Sequence, residues 1–369
     1  MVEKKRYDMD SPEARAVIDE IVHGTFTIEG TFVAFPLCFP GASRPIPPDE
    51  SRIVSLDISR EGMIYGGTEG HCVHLFVGMF HGVTGMVFDL ARIENAQACI
   101  GVHCGPESVV AVVHGTGGSR IVSVPHQSLP FDLIQEWGFE KPVLSDVYRF
   151  PEGEKAVHSY CEADREHLLC LTDQGAVRIH IPTSKRTEIE APEGLSRPGG
   201  LQSGKVVAIG PDRSIWEYEP ASSRFRKSEV LLPDDFTVGE KICWLHGSSR
   251  EATFVADSDG RIYRLSEGSS TLEFSKSLGQ TRHKPVTALA ETHDGRLYGF
   301  GGDGISRFWR FSPRSGELKD LGVAVSILQQ RRYGYEFSPA VVGRDGQIFF
   351  GENDQGGHLW IYFPKVERV

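Results

Sequence analysis

The sequence lacks the features of a membrane-spanning or exported chain. No apolar run approaches the ~20 residues that a helix needs to cross a bilayer. The opening residues, MVEKKRYDMD, lack the apolar core of a signal peptide. We therefore expect a soluble protein without a membrane partner, cytoplasmic as the sequence stands and secreted or periplasmic if a signal peptide has been removed.

The common catalytic fingerprints are also missing. The sequence contains no GxSxG elbow, no HExxH pair, no P-loop and no dinucleotide-binding glycine motif between a strand and a helix. The GGDG at residues 301–304 is predicted to be a hairpin turn. These absences disfavour nucleophilic hydrolases and nucleotide-dependent enzymes, and they predict that no cofactor is required.

The sequence has few cysteines and fewer basic than acidic residues. The seven cysteines are an odd number without a CxxC pair, so we expect reduced, buried thiols rather than a disulfide framework. The formal net charge of -11 argues against binding to nucleic acid. An anionic ligand would consequently need a local basic pocket.

What the sequence does contain is a recurring strand-turn-strand corner. In each copy an acidic residue directly precedes Gly, and the residues that follow alternate in polarity. This pattern is typical of a tight β-hairpin. The copies are EGMIYGG at Glu61–Gly67, DGRIYRL at Asp259–Leu265, DGRLYGF at Asp294–Phe300 and DGQIFFG at Asp345–Gly351. Each copy is predicted to be the corner of a hairpin.

A second half-signature supplies a further strand, in which apolar or aromatic residues alternate with polar ones. Its copies are HLFVG at His74–Gly78, SIWEYEP at Ser214–Pro220, RFWRFSP at Arg307–Pro313 and HLWIYFP at His358–Pro364. Repeats of about 40 to 50 residues made of four short strands are typical of a β-propeller, whose blades bury their faces only against each other. We therefore predict an all-β fold, a seven-bladed β-propeller.

We predict two parts, a helical extension at residues 1–25 and a propeller at residues 26–369. The protein is expected to be a monomer. Blade starts are predicted near Arg52, Gln97, Val157, Leu201, Cys243, Val286 and Ala340. The last unit has three clear strands, so we predict that the segment Thr31–Leu37 adds the fourth and closes the ring. The short N-terminal helix is predicted to begin at Ser11 and Pro12.

Histidine is concentrated near the start of the predicted ring. Six of the fourteen histidines fall in the first two blades: His71, His74, His81, His103, His114 and His126. His81 and His103 are the stronger candidates for a site, because apolar alternation breaks at both and glycines beside them let a ligand approach the backbone. The alternative is that both histidines only tie loops together.

Two long segments between blades add polar candidates. The segment between the second and third blades contributes Tyr148, Arg149, His158, Tyr160 and Arg165. Alternatively, the tyrosines are half-buried strand aromatics and Arg165 pairs with a nearby acid.

The later segment, residues 326–339, carries Arg331, Arg332 and Tyr333. Paired arginines beside a tyrosine suit a carboxylated sugar, although a solvated loop is an equal alternative.

The segment GENDQGGH, Gly351–His358, offers Glu352, Asp354 and His358. Their oxygens could bind a hard divalent cation with a structural role, although the spacing does not match a calcium loop. A simple turn is the first interpretation, and the identity of any metal stays open.

The repeat and its aromatic partner strand resemble the seven-bladed propellers among polysaccharide lyases, which include ulvan lyases and rhamnose-glucuronate lyases. Those ulvan lyases use a His, a second His, a Tyr and an Arg in that order, and His81, His103, Tyr148 and Arg165 follow the same order. The resemblance implies a lyase that cleaves an anionic glycan beside a uronic acid by β-elimination.

In such a reaction Arg165 would neutralise the uronate carboxylate, and Tyr148 and His81 would share the roles of base and acid. His103 would hold the carboxylate or orient Tyr148, and Arg149 or Arg165 would lower the tyrosine pKa. As substrate-binding residues we predict polar residues of the two long segments, namely Arg149, Tyr160, Arg331, Arg332 and Tyr333.

Two other functions fit the same repeats. One is a noncatalytic propeller that presents a binding rim. The other is a glycoside hydrolase that removes a terminal sugar from uronate. That chemistry ordinarily needs two carboxylates, and the sequence shows no recognisable pair of them.

Overall fold

The computed structural model describes most of the chain. The described residues are 11–12, 15–16, 29–37, 45–81, 84–127, 141–239, 242–245, 252–266, 268–279, 284–302, 305–327 and 332–365, with the side chains of residues 81 and 84 excepted.

The described chain forms seven four-stranded antiparallel sheets, the blades of a β-propeller. Strand β1 is Gly30–Pro36. Blade 1 contains β2 (Arg52–Ile58), β3 (Ile64–Glu69), β4 (Val73–His81) and β5 (Thr84–Ile93). Blade 2 contains β6 (Ala98–Cys104), β7 (Ser108–Gly115), β8 (Gly118–Pro125) and β9 (Ser145–Arg149). Blade 3 contains β10 (Ala156–Cys161), β11 (His167–Thr172), β12 (Gly175–His180) and β13 (Lys185–Ile189).

The second half of the ring continues the pattern. Blade 4 contains β14 (Gly199–Gly200), β15 (Val206–Ile209), β16 (Ile215–Glu219) and β17 (Arg224–Lys227). Blade 5 contains β18 (Cys243–Trp244), β19 (Thr253–Ala256), β20 (Arg261–Leu265) and β21 (Glu273–Ser277). Blade 6 contains β22 (Val286–Glu291), β23 (Leu297–Gly301), β24 (Arg307–Ser312) and β25 (Glu317–Gly322). Blade 7 contains β26 (Phe337–Val342), β27 (Ile348–Glu352) and β28 (His358–Pro364), with β1 as its outer strand. Every predicted blade start lies within three residues of an observed one.

The acidic-Gly corners are hairpin turns, as predicted. Gly62, Gly260, Gly295 and Gly346 all have positive φ angles, which glycine adopts without steric cost. Three of these turns join the first and second strands of a blade, whereas the turn at Gly260 joins the second and third strands of blade 5. The motif therefore marks a turn conformation that any hairpin can use, and not a fixed position in the blade.

The ring is closed between its two ends, again as predicted. Strand β1 pairs antiparallel with β28 in a register that runs from Gly30 opposite Pro364 to Pro36 opposite His358. The pairing covers the edge that β28 would otherwise expose. Closure by the N-terminal strand is confirmed, to within one residue of the predicted segment.

The hydrophobic core lies between neighbouring blades. One cluster of buried side chains joins blades 1 and 2, and another joins blades 6 and 7 with β1. The second cluster is mainly aromatic, with the ring of Phe300 stacked on that of Phe337 at a centroid distance of 3.9 Å. The blades therefore depend on one another for burial, as expected of a propeller.

Helical structure is slight. Short 3-10 turns occur at Pro48–Glu50 and Ile181–Thr183. In the predicted N-terminal helix, the amide of Arg15 donates to the Ser11 carbonyl at 2.9 Å, and most of residues 1–25 lie outside the described chain. No helix in the described ranges is long and apolar enough to cross a membrane. The described cysteines are free thiols, and Cys38 lies outside those ranges.

Candidate functional site

The first strands of the seven blades surround a central channel with a cavity of about 270 Å³. Its wall includes polar side chains from blades 1 to 4 and from blade 6. They are Asp57, His103, Ser159, Tyr160, Arg165, Arg197, Thr287 and Glu291. A channel mouth where several blades converge is the usual ligand site of this architecture.

Asp57 and Arg165 form a clamp across three blades. The Asp57 carboxylate accepts hydrogen bonds from the Cys104 amide at 2.7 Å and from Arg165 at 2.9 Å. Burial alone would lower the pKa of Arg165, but the adjacent Asp57 charge raises it above its ordinary value. Arg165 lies in the turn after β10 with a left-handed φ of 62°, and its side chain reaches Asp57 of blade 1. The charge of Arg165 is therefore already engaged by the protein.

His103 makes a second link between blades. Its Nε2 atom lies 2.8 Å from the Ser159 hydroxyl, so β6 and β10 are joined across the channel wall. The two groups can exchange donor and acceptor roles with the histidine tautomer. They line the cavity and can offer hydrogen bonds to a polar ligand.

Arg197 differs from the other charged groups of the channel. Its side chain is exposed and lines the cavity just before β14. Within the described ranges it has no hydrogen-bond or ion-pair partner. Burial, and next the charge of Arg197, lower the pKa of His158 to about 4. At neutral pH the described part of the channel therefore holds a guanidinium without an ion-pair partner near a neutral imidazole.

Tyr160 contributes a phenol to the same wall. Burial raises its pKa to about 12, so the hydroxyl is protonated at neutral pH and can donate a hydrogen bond. The hydroxyl occupies space beside Gly200, where an added Cβ would lie 2.2 Å from it. Glycine at this position of β14 thus makes room for the tyrosine.

The structure does not bring Tyr148 and Arg149 to the channel. Both lie on β9, the outer strand of blade 2. The Tyr148 hydroxyl accepts a hydrogen bond from Arg186 of β13 at 3.1 Å, and Arg149 pairs with Asp146 on its own strand. These two residues therefore lie apart from His103 and Arg165, which line the channel. Strand alternation in the sequence does not tell how far a strand lies from the ring axis.

The structure describes only some of the other predicted site residues, which are His81 and the segment with Arg331, Arg332 and Tyr333. His81 is the last residue of β4, and its side chain is outside the described part of the chain, as is Arg331. Arg332 donates to Glu352 at 3.0 Å and to the Gly356 carbonyl at 2.9 Å. Tyr333 is half-buried in a β-bridge with Val325. Neither Arg332 nor Tyr333 is part of the channel wall.

Near Arg332, blade 7 contains an acidic cluster, which we define as the buried Glu352 with the half-buried Asn353 and Asp354. Burial, and next the charge of Glu352, raise the pKa of Asp354 to about 8. The predicted third member, His358, instead has its Nδ1 atom 2.6 Å from the Gly356 carbonyl. That nitrogen is therefore a donor and cannot bind a cation.

The sequence reasoning missed Asp57, Ser159 and Arg197. Asp57 and Ser159 look like ordinary polar positions of alternating strands, and their partners lie in other blades. The one sequence signal for Arg197 is its position two residues before the inner strand β14, Gly199–Gly200. Within the described ranges its guanidinium has no ion-pair partner, a property that only the folded ring reveals.

Comparison with known proteins supports the fold and nothing finer. No protein-family model matches the chain, and no curated protein sequence matches it. The crystal structure of the WD40 β-propeller domain of Doa1 is similar, with a TM-score of 0.60 and 9% sequence identity over 90% of this chain and 97% of that one.

The crystal structure of the extracellular domain of the putative hybrid two component system BT3049 from B. thetaiotaomicron is also similar. Its TM-score is 0.60 with 12% identity over 91% of this chain, which spans only 41% of that one. At such identities the likeness establishes the propeller fold alone.

Proposed function

We propose that this protein is a ligand-binding β-propeller whose channel holds a carboxylate-bearing molecule, such as a uronate unit of an anionic glycan. The observation that carries the proposal is Arg197, an exposed guanidinium that lines the channel and has no partner in the described ranges. An unpaired arginine in a chain of net charge -11 provides the local positive site that an anion needs.

The neighbouring groups suit the remainder of such a ligand. A guanidinium can bind a carboxylate through two parallel hydrogen bonds. The protonated Tyr160 hydroxyl and the His103–Ser159 pair offer donors and acceptors for sugar hydroxyls. Arg165, by contrast, is held by Asp57 and is assigned to the clamp between blades.

Binding without cleavage fits these groups better than the lyase chemistry implied by the resemblance. Elimination needs a base, and a tyrosine serves as one only when cations lower its pKa. The pKa of Tyr160 is raised instead, while Tyr148 lies on an outer strand. Hydrolysis would need two carboxylates facing one bond, and Asp57 is engaged by Arg165.

The Arg197→Gln variant tests the proposal. We expect its affinity for glucuronate, or for the best ligand of a uronate-containing oligosaccharide panel, to fall by about tenfold or more. Isothermal titration calorimetry measures the loss. Arg224→Gln is the matched control, because Arg224 is exposed on the outer strand β17 of the same blade and should leave affinity unchanged. Equal binding by wild type and Arg197→Gln would refute the assignment.

A second assay separates binding from cleavage. Incubating wild-type protein with ulvan, gum arabic side chains, pectin and glycosaminoglycans should give neither the ultraviolet absorbance of an unsaturated uronate nor new reducing ends. Absorbance would restore the lyase function, whereas new ends without absorbance would indicate hydrolysis. Either result would contradict a noncatalytic role.

A further inference from the structure

The acidic cluster of blade 7 contains a carboxylate that is fully enclosed. Glu352 is 0% exposed. One of its oxygens, Oε2, accepts hydrogen bonds from Arg332 at 3.0 Å, from the His358 amide at 3.0 Å and from the Trp360 indole at 3.1 Å. The other oxygen, Oε1, is buried and has no hydrogen-bond partner in the described part of the chain.

The next two residues present the same deficit. Asn353 Oδ1 and Asp354 Oδ1 are also buried without a hydrogen-bond partner among the described residues. Three consecutive side chains therefore each have one unsatisfied oxygen. Such atoms are rare in folded proteins, since a buried acceptor without a partner loses its hydration free energy.

Like charges also lie close together at this position. Glu352 and Asp354 are close enough for their charges to interact, and the Glu336 carboxylate acts on Asp354 in the same direction. Among the described residues, Arg332 acts on Asp354 in the opposite direction. A divalent cation bound by Glu352 and Asp354 would reduce the repulsion between their carboxylates.

We propose that Glu352, Asn353 and Asp354 bind a divalent cation through Glu352 Oε1, Asn353 Oδ1 and Asp354 Oδ1, and that the cation is Ca²⁺. The donors are all oxygen atoms, the ligand type of hard cations. Two carboxylates and an amide are typical calcium ligands, and Ca²⁺ tolerates the irregular geometry of a turn better than Mg²⁺ does.

The position of the site gives the cation a structural role. The cluster begins the turn between β27 and β28, and the amides of Gly356 and Gly357 donate to the Ser51 hydroxyl at 3.0 Å. Ser51 directly precedes the first strand of blade 1. A cation that rigidifies this turn would therefore stabilise the junction between the last blade and the first.

Calcium titration of the chelator-treated protein tests this inference. At about 100-fold excess over its dissociation constant, CaCl2 should raise the wild-type melting temperature by about 3 °C, as a ligand that binds only the folded state. Calorimetry should give one site per chain. In Asp354→Asn the affinity should fall by about tenfold or more, because calcium affinity depends on the number of charged ligands.

Asp345→Asn is the matched control, since Asp345 is exposed in the preceding hairpin of the same blade and should leave calcium binding intact. Asp354 is preferred to Glu352 for substitution because Glu352 also pairs with Arg332 and Trp360. No calcium-dependent change in wild type, or equal affinity in Asp354→Asn, would overturn the site. A larger melting shift with ZnCl2 than with CaCl2 would overturn the oxygen-ligand assignment.

Discussion

Phe32→Ala is expected to reduce the free energy of unfolding by about 3–5 kcal/mol, the range found when a buried phenylalanine is truncated. Phe32 is 2% exposed at the centre of β1. Its ring lies 4.7 Å from that of Tyr362 and 4.9 Å from that of Phe308, measured between centroids. The side chain therefore joins the closing strand to both blade 7 and blade 6, and its loss leaves a cavity in that core.

Denaturant unfolding followed by tryptophan fluorescence measures the change. Phe274→Ala is the matched control, because Phe274 lies on the outer strand β21 but is 55% exposed, and its replacement should cost about 1 kcal/mol or less.

Deleting residues 1–40, which contain β1, should destabilise the whole ring and expose the β28 edge. A truncated chain that melts like the full one would contradict closure by β1.

His74→Ala is expected to reduce the free energy of unfolding by about 3 kcal/mol, in the range for breaking a buried ionic network. His74 is 3% exposed. Its ring nitrogens lie 2.7 Å from Glu50 and 3.0 Å from Asp89, so the imidazole joins two buried carboxylates. Without it, the charged partners that those carboxylates keep among the described residues are Arg92 and Lys141.

Denaturant unfolding at neutral pH measures this effect. His293→Ala is a suitable control, because His293 is exposed in a hairpin of blade 6 and its replacement should change stability by ~0.5 kcal/mol or less. Equal stability of the His74 and His293 variants would show that the network contributes nothing to the fold.

The same network predicts acid sensitivity. The hydrogen bond from Arg92, helped by His74 and opposed by burial, lowers the pKa of Glu50 from 4.5 to about 2. A carboxyl whose pKa is depressed in the folded state contributes stability that is present above its unfolded pKa and is lost as the pH falls through the folded one. Wild-type stability should therefore decline between pH 4.5 and 2. In this pH window the free energy of unfolding of Glu50→Gln should fall less steeply with decreasing pH than that of wild type. Equal slopes for the two proteins would contradict the assignment.

Much of the fold was predictable because it depends on local patterns. Alternating strands and acidic-Gly corners such as Asp294–Gly295 recur often enough to count the blades, and the incomplete last unit pointed to residues 31–37. The motif did not give the position of every turn, since the corner at Gly260 joins a different pair of strands from the others.

The site was less accessible from sequence. His103 and Arg165 line the channel wall, whereas Tyr148 lies on the outer strand β9. The sequence could not separate these positions, because inner and outer strands share the same alternation. The role of Arg197 depends on the fact that its guanidinium has no ion-pair partner among the described residues, which the sequence does not show. For the acidic cluster, the sequence indicated Glu352 and Asp354. The structure adds Asn353, whose Oδ1 atom is buried without a hydrogen-bond partner among the described residues. It excludes the Nδ1 atom of His358 as a ligand, because that atom donates to the Gly356 carbonyl.

Closure of blade 7 by β1 has a consequence for folding kinetics. The Tyr362 hydroxyl donates to the Glu29 carbonyl across 333 positions of sequence, so β1 completes its sheet only after β28 has been synthesised. Until then β1 lacks its partner strand, and closing so long a loop delays the contacts that repay its entropy. A growing chain must therefore hold β1 unpaired during the synthesis of blades 1 to 6 and of the other three strands of blade 7. Pairing with another copy competes most strongly with closure in this period.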